Sequence, residues 1–380
     1  MTDKQINVLI VDDSAFMRRV ITTMLESDSS LKVVSYARDG EDALVKIKRY
    51  NPDVVTMDVE MPGLDGLSAL KLIMCENPVP VVMLSSLTTA GARQTIEALS
   101  LGAVDFVAKP ANRQELPKLA SELINTVKTA AQVSVKKVCS INGSILAKSS
   151  GPQPERPSPS VMVPKPVFLK PPKLGATTTI KTTSSIELVA VGTSTGGPTA
   201  LQVLLTRIPK SLPCGIVVVQ HMPKGFTGPL AKRLNDLCEI EVKEGEDGDM
   251  VLPGRAIIAP AGHQLTFTRR SGYLQISLSD HSPIKTLFKP SVDVMMLSAV
   301  ETLGSKVLGV IMTGMGNDGL QGLKSLKKQK GLILAQNEET CIVYGMPKAV
   351  VDAGIADKVL PLDELGSEIV SIVAKNKYDI

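Results

Sequence analysis

No stretch of the 380-residue chain reaches 18 apolar residues without a charge, which excludes a membrane span of ordinary length. No CxxC pair occurs among the five cysteines, Cys75, Cys139, Cys214, Cys238 and Cys341. That spacing offers no structural zinc site and fits a reducing compartment. The N-terminal stretch MTDKQINVLIVDDS has too short an apolar run for a signal peptide and closes it with two aspartates, so it reads as a first strand. Histidine is scarce, with only His221, His263 and His281 to supply an imidazole. What is there, at 43% apolar and 21% charged residues, suits a globular chain long enough for two cores. The net charge of +4 is unevenly spread: residues 1–125 carry −4, residues 126–185 carry +8, and the remainder is balanced. A basic middle segment either touches acidic surfaces or nucleic acid, or keeps a tether soluble.

Residues 1–125 alternate short apolar runs (6–11, 32–37, 53–58, 79–85, 103–109) with helical patterns near 15–26, 40–49, 66–74, 89–100 and 114–126. Five strands alternating with five helices, a (βα)5 order, imply a parallel sheet covered on both faces. Eight prolines fall within residues 151–175, followed by serines and threonines up to Ser185. That composition marks a linker, with domains expected at 1–127 and 186–375 around a 128–185 tether. The second α/β domain reads as doubly wound and mostly parallel. Its strands fall near 186–192, 215–220, 240–244, 255–260, 306–313 and 331–336, with an antiparallel hairpin over 264–278. Helices are expected over 198–208, 226–237, 292–303 and 317–329.

In the first domain, Asp12 and Asp13 end the first strand, Asp58 the third, Ser85 the fourth and Lys109 the fifth. Ends of parallel strands share one edge, where ligands bind. Three carboxylates there form a hard oxygen site suited to Mg²⁺. With a hydroxyl and an ammonium beside them they can manage a phosphoryl group, Asp58 acting as nucleophile. Taken singly, each residue has a plainer role: Asp12 or Asp13 as a helix cap, Asp58 in a turn, Lys109 on the surface. The Lys109–Pro110 bond is a candidate cis peptide.

In the second domain, VAVGTSTGGPTAL (189–201) runs from a strand through a glycine-rich turn into a helix opened by Pro198. Free N–H groups at such a turn can hold a phosphate or an oxyanion. The spacing is neither a Walker motif nor a dinucleotide fingerprint, and it departs from the G-x-S-x-G elbow in its second half. Ser194 is therefore either a nucleophile or a turn residue. His221 directly follows the apolar run GIVVVQ, at the same sheet edge, as a base or as a packed imidazole. Asp318, in TGMGNDG after another buried-looking strand, either caps the next helix or orients the Nδ1 side of His221.

The segments LIVDDS, VTMDVEMPGLDG, MLSS and FVAKP resemble the response-regulator receiver domain over its full length. The resemblance implies phosphorylation of Asp58 by a histidine kinase, with Mg²⁺ held by Asp13, Asp58 and the backbone carbonyl of Glu60. Asp12 would complete the pocket, and Ser85 and Lys109 would sense the phosphoryl group. Phe106 would be the aromatic that such domains carry on the fifth strand. GTSTGGP (192–198), VQHMP (219–223), APAGHQL (259–265), KPSVDVM (289–295), TGMGNDG (313–319) and VYGMPKAV (343–350) resemble the catalytic domain of the chemotaxis protein-glutamate methylesterase family. That resemblance implies a Ser194–His221–Asp318 triad needing no metal. Donors around Thr195, Gly196 and Gly197 and the Met315 N–H would serve the oxyanion, and Thr195 would shape the site. It implies methyl-accepting chemotaxis receptors as substrates, by ester hydrolysis and glutamine deamidation. It also implies a chemotaxis histidine kinase as phosphodonor and a place in the cytoplasm, with the receiver as a lid over the catalytic edge; a monomer is the default expectation for the free state. The stretch HSPIKTLFKPSVD departs from the short, basic, histidine-containing one that often precedes PSVD in the family; Lys285 and Lys289 carry its charge. Two other classes compete: a response regulator whose second domain only binds a partner, and a phosphate- or nucleotide-binding module using the 192–198 loop. A charge-balanced second domain without a basic stripe argues against nucleic acid, and the 192–198 loop has no neighbouring lysine for a nucleotide.

Overall fold

The structure, a computed structural model, describes residues 5–110, 116–135 and 185–375. Cys139 and most of the expected 128–185 tether lie outside the described residues.

The first unit is a five-stranded parallel sheet in the order β2-β1-β3-β4-β5. Its strands are β1 (Ile6–Val11), β2 (Leu31–Ala37), β3 (Val54–Asp58), β4 (Val81–Ser85) and β5 (Asp105–Ala108). The helices are α1 (Ala15–Glu26), α2 (Gly40–Tyr50), α3 (Gly66–Glu76), α4 (Thr89–Leu101) and α5 (Leu116–Ala130). Side chains alternate across a strand. Val8 and Ile10 therefore meet Ile21 and Leu25 of α1 and Leu123 and Val127 of α5. Leu9 and Val11 instead join Ile47, Leu70 and Ile73 on the opposite face. Four helices begin on a side chain that accepts a first-turn N–H: Ser14, Asp39, Asp65 and Thr88. Ser14 thus takes the capping role that Asp12 or Asp13 could have had. Helix α5 runs past residue 127, and Val133 is still buried against it.

The second unit is a seven-stranded sheet, order β14-β13-β12-β6-β7-β9-β8, in which every pairing is parallel. Its strands are β6 (Leu188–Thr193), β7 (Gly215–Gln220), β8 (Glu241–Glu244), β9 (Arg255–Ile258), β12 (Val307–Ile311), β13 (Leu332–Gln336) and β14 (Lys358–Leu360). The antiparallel hairpin β10 (Gln264–Arg270) and β11 (Tyr273–Ser279) forms a separate two-stranded sheet. Helices α6 (Gly197–Leu205), α7 (Thr227–Asn235) and α11 (Leu362–Lys375) cover one face. Helices α8 (Val292–Leu303), α9 (Leu320–Lys328) and α10 (Met346–Asp352), with the hairpin, cover the other. Alternation again sorts the residues, Val189 and Val191 to the first face, Leu188 and Ala190 to the second. Three elements lie beyond the expected set: β14, α10 and α11.

The two units pack directly together. Helix α4 lies against α6 and α7. Phe106 and Phe226 meet with ring centroids 4.5 Å apart, a contact of about 1 kcal/mol beyond its buried area. Thr199 Oγ1 donates to the Leu99 carbonyl at 3.1 Å, and Ser100 Oγ donates to Gln202 Oε1 at 3.3 Å. One apolar cluster consequently spans both units.

Candidate functional site

In the seven-stranded sheet the chain starts at β6, winds to β7 on one side and returns to β12 on the other. That reversal makes a switch point, where parallel sheets bind ligands outside their carboxyl ends. Ser194 follows β6, His221 follows β7, and Asp318 lies in the loop after β12. The edge is laced together by backbone and hydroxyl bonds. Ser194 N–H donates to the Thr313 carbonyl at 3.0 Å and His221 N–H to the Thr193 carbonyl at 3.2 Å. The Thr193 hydroxyl also donates to the Thr313 carbonyl, at 2.9 Å. Gln220 Nε2 bridges the Ser194 and His221 carbonyls, each at 2.9 Å.

His221 and Asp318 form a buried pair, Nε2 to Oδ2 at 2.8 Å. The expectation had been Nδ1; the structure turns the ring the other way. Nδ1 is buried and has no hydrogen-bond partner. The flat face of His221 stacks on Phe288, with centroids 4.0 Å apart and planes 2° from parallel. Among the described residues no hydrogen bond joins Ser194 Oγ to His221, a gap common before substrate enters.

Asp318 does not cap the helix that follows it, α9, whose cap is Gly319. Its carboxylate sits at the N-terminus of α8 instead. It accepts from Ser291 Oγ at 2.9 Å, Val292 N–H at 2.7 Å and Asp293 N–H at 3.1 Å. Burial works against its ionisation, but the bonds from His221, Val292 and Asp293 outweigh burial and hold the carboxyl below its ordinary range. A helix N-terminus favours such an anion.

The turn after β6 needs its glycines. Gly196 has φ +76°, and a Cβ at Gly197 would lie 1.9 Å from Gln220 Oε1. Gly197 N–H is spent on the Ser194 carbonyl at 2.8 Å, which removes it from the expected oxyanion donors. The N–H groups of Thr195, Gly196 and Met315 make no hydrogen bond among the described residues. The Thr195 carbonyl accepts from Thr313 Oγ1 at 2.9 Å, and its hydroxyl favours the ionised form of the Asp105 carboxyl of the first unit. Burial, with Glu122 adding to it, pushes that carboxyl up to about 6. Thr129 Oγ1 lies 3.5 Å from Met315 Sδ, and Ile342 and Val343 pack on the α1/α5 side of the first unit. The first unit therefore lies over the edge that carries Ser194.

The first unit has its own strand-end site, also at a switch point, between β1 and β3. Asp12, Asp13 and Asp58 offer carboxylate oxygens that all lie within 4.8 Å of one another. Lys109 Nζ reaches Asp58 at 2.6 Å and Asp12 at 3.0 Å. Burial raises Asp58 above the usual carboxylate range, with Lys109 opposing it. Burial also disfavours the Lys109 ammonium, but its bonds to Asp58 and Asp12 outweigh that and raise it. Three carboxylates facing one ammonium leave an uncompensated hard-oxygen cluster, a fit for a divalent cation. Asp13 and Asp58 open into a cleft of about 630 Å³ also lined by Glu60, Ser86, Gln94 and Lys109. Ser85 is not among its walls: its hydroxyl is buried, accepting from Thr95 Oγ1 at 2.7 Å. The cis peptide among the described residues is Lys289–Pro290, not Lys109–Pro110.

Sequence reasoning passed over Ser291, Gln220 and Phe288. Ser291 carried a signal, a serine directly before an apolar helix, and Gln220 is a polar residue closing an apolar run. Phe288 carried none.

The model of the response regulator receiver domain matches residues 8–121, and that of the CheB methylesterase matches residues 189–369. A protein-glutamate methylesterase/protein-glutamine glutaminase of Moorella thermoacetica is 43% identical, over 97% of this chain and 98% of its own. A protein-glutamate methylesterase/protein-glutamine glutaminase 1 of Oleidesulfovibrio alaskensis is 45% identical, over 97% and 100%. The chain belongs to the CheB methylesterase family. Among solved structures, the CheB methylesterase catalytic domain of Thermotoga maritima is 42% identical, covering 50% of this chain and all of its own, with a TM-score of 0.48. In this CheB methylesterase the receiver is the five-stranded unit and the methylesterase domain the seven-stranded one. Among the described residues, no helix is long and apolar enough to cross a membrane.

Proposed function

We propose that Ser194, His221 and Asp318 are the hydrolytic machinery by which this CheB methylesterase removes methyl groups from glutamate esters, and amide nitrogen from glutamines, of methyl-accepting chemotaxis receptors. The observation that carries the reading is the buried His221–Asp318 pair at the switch point, with its second ring nitrogen unpartnered. His221 Nδ1 takes the proton of Ser194 Oγ as that oxygen attacks the ester carbonyl. The N–H groups of Thr195, Gly196 and Met315 are the candidates to hold the developing oxyanion, at about 3 kcal/mol per donor. Collapse expels methanol, which receives the proton from His221. Water then attacks the acyl-enzyme by the same route and restores Ser194. Asp318 keeps Nε2 protonated and stabilises the imidazolium. An amide passes through a similar tetrahedral centre and expels ammonia.

Asp12, Asp13 and Asp58, with the Glu60 carbonyl, would hold Mg²⁺, which supplies charge neutralisation for a phosphoryl group accepted by Asp58 from a chemotaxis histidine kinase. Lys109 pairs with the same carboxylate and is placed to contact that group. The receiver packs over the Ser194 edge, which supports a lid: phosphorylation shifts a balance between covered and open arrangements. The reading keeps the protein in the cytoplasm, as a monomer, between receptors and kinase, without nucleic acid. The test is methanol release from methylated receptor membranes by wild type and S194A, each with and without a small phosphodonor and Mg²⁺. Release that rises with phosphodonor and falls by about 10⁶-fold in S194A is expected. Equal release by S194A would remove Ser194 as nucleophile.

A further inference from the structure

Phe288 belongs to the stretch that departs from the family pattern, and the hydrolytic steps leave it no task. Phe288 is 37% exposed against 97% for its neighbour Leu287, so the loop leaves both at the surface but lays one of them down. The one laid down lies flat on His221, with ring centroids 4.0 Å apart and planes within 2° of parallel.

The backbone around it is firmly tied. The Phe288 carbonyl accepts from Gln264 Nε2 at 2.8 Å, and its N–H donates to Thr286 Oγ1 at 3.1 Å. The Lys289 carbonyl accepts from Gly262 N–H at 3.0 Å. Gln264 is buried and uses its other end, Oε1, to accept from Ser291 N–H at 2.9 Å. Ser291 in turn donates its hydroxyl to Asp318. Four consecutive residues, 288–291, thus touch both members of the His221–Asp318 pair, one end by a ring face and the other by a hydroxyl.

A single hydrogen bond at Nε2 fixes one point of the imidazole and leaves the ring free to tilt about it. A parallel aromatic contact fixes the plane. The two constraints together set where Nδ1 aims, and that nitrogen has no hydrogen bond of its own to hold it. We propose that Phe288 is a positioning residue that clamps the plane of His221 so that Nδ1 faces Ser194. This rests on the reading of His221 as the base. A misaimed base costs rate in the chemical step rather than affinity for substrate.

The test uses the full chain and two readouts. The first is steady-state methylesterase kinetics of F288L, F288Y and S194A. F288L is expected to lower kcat on the order of 10- to 100-fold with KM unchanged, and F288Y to restore most of it. A rise in KM with kcat intact would make Phe288 a substrate contact and overturn the proposal, as would wild-type kinetics. The second is the NMR spectrum of the three histidine rings, with His221 assigned by the signal missing from H221N. Its ring protons are expected upfield in wild type and F288Y and at ordinary positions in F288L, those of His263 and His281 staying unmoved. An unshifted His221 signal in wild type would overturn the clamp without reference to activity. If S194A stayed active, the hydrolytic reading would fall instead, and the ring-current result would still report on the contact.

Discussion

The chain builds two strand-end sites by one architectural rule and leaves them in opposite electrostatic states. In both units the reactive side chains follow parallel strands at a point where the winding reverses. In the methylesterase domain the carboxylate paired with His221, Asp318, accepts four hydrogen bonds, from His221, Ser291, Val292 and Asp293. Its charge is satisfied before any substrate arrives. In the receiver, three carboxylates crowd one ammonium, and burial keeps Asp58 above the ordinary carboxylate range. A preorganised site pays its reorganisation at folding and turns over unaided. An undercompensated one waits for a ligand to complete it, which is the property a switch needs.

The largest way to break that contrast is to spoil the satisfied carboxylate. D318N keeps the shape but presents an amide to His221 Nε2, and kcat is expected to fall about 10⁴-fold. Thermal stability should also drop, because the amide nitrogen then faces the Val292 N–H, while the amide oxygen still accepts from Ser291 and Asp293. A loss below tenfold would show that the pair is structural. The receiver site responds to a different lever. Chelating divalent cations, or the D58N substitution, is expected to abolish stimulation by phosphodonor while basal methanol release stays within about twofold. Loss of basal release on chelation would mean that the two sites are not separable in this way.

A smaller effect concerns the contact between the sites. Burial raises the Asp105 carboxyl to about 6, from the ordinary aspartate value of 3.8. A carboxyl whose value is raised on burial is destabilised by ionising, so the cost is absent well below pH 3.8 and complete above pH 6. At pH 7 the covered arrangement therefore carries a penalty of at most about 3 kcal/mol at 1.36 per pH unit, less whatever share persists in the separated receiver. D105N removes the charge. Relative to wild type, its unstimulated methanol release is expected to be several-fold lower at pH 7, with the difference shrinking as pH falls below 6 and vanishing only below pH 3.8. A pH-independent ratio would take Asp105 out of the contact's energetics.

Most strands were legible because each is a short apolar run bounded by polar or turn residues, and GIVVVQ is occupied to the residue as β7. The strand β14 is three residues with no apolar period to read, and α10 begins at a Gly-Met-Pro sequence that looks like a loop. The positions of Ser194, His221 and Asp318 were readable from strand ends. The choice of ring nitrogen was not, since it depends on one torsion set by Asp318 and Phe288. The aim of Ser85 was likewise hidden, because Thr95 ten residues on decides it. Contacts such as Phe106 with Phe226 use residues that read as ordinary core, and nothing local distinguishes a core residue of one unit from one shared by two.

That shared cluster has a thermal consequence. Phe106, Ile96 and Leu99 of the receiver lie in the same apolar cluster as Phe226 and Leu230 of the methylesterase domain. Parting them wets apolar surface, and exposure of apolar surface raises heat capacity. The grip between the two units therefore has a temperature at which it is tightest and slackens on cooling as well as on heating. If the receiver is the lid proposed above, the unphosphorylated enzyme would be the leakier one in a cold cell, and phosphorylation would command a narrower range of activity.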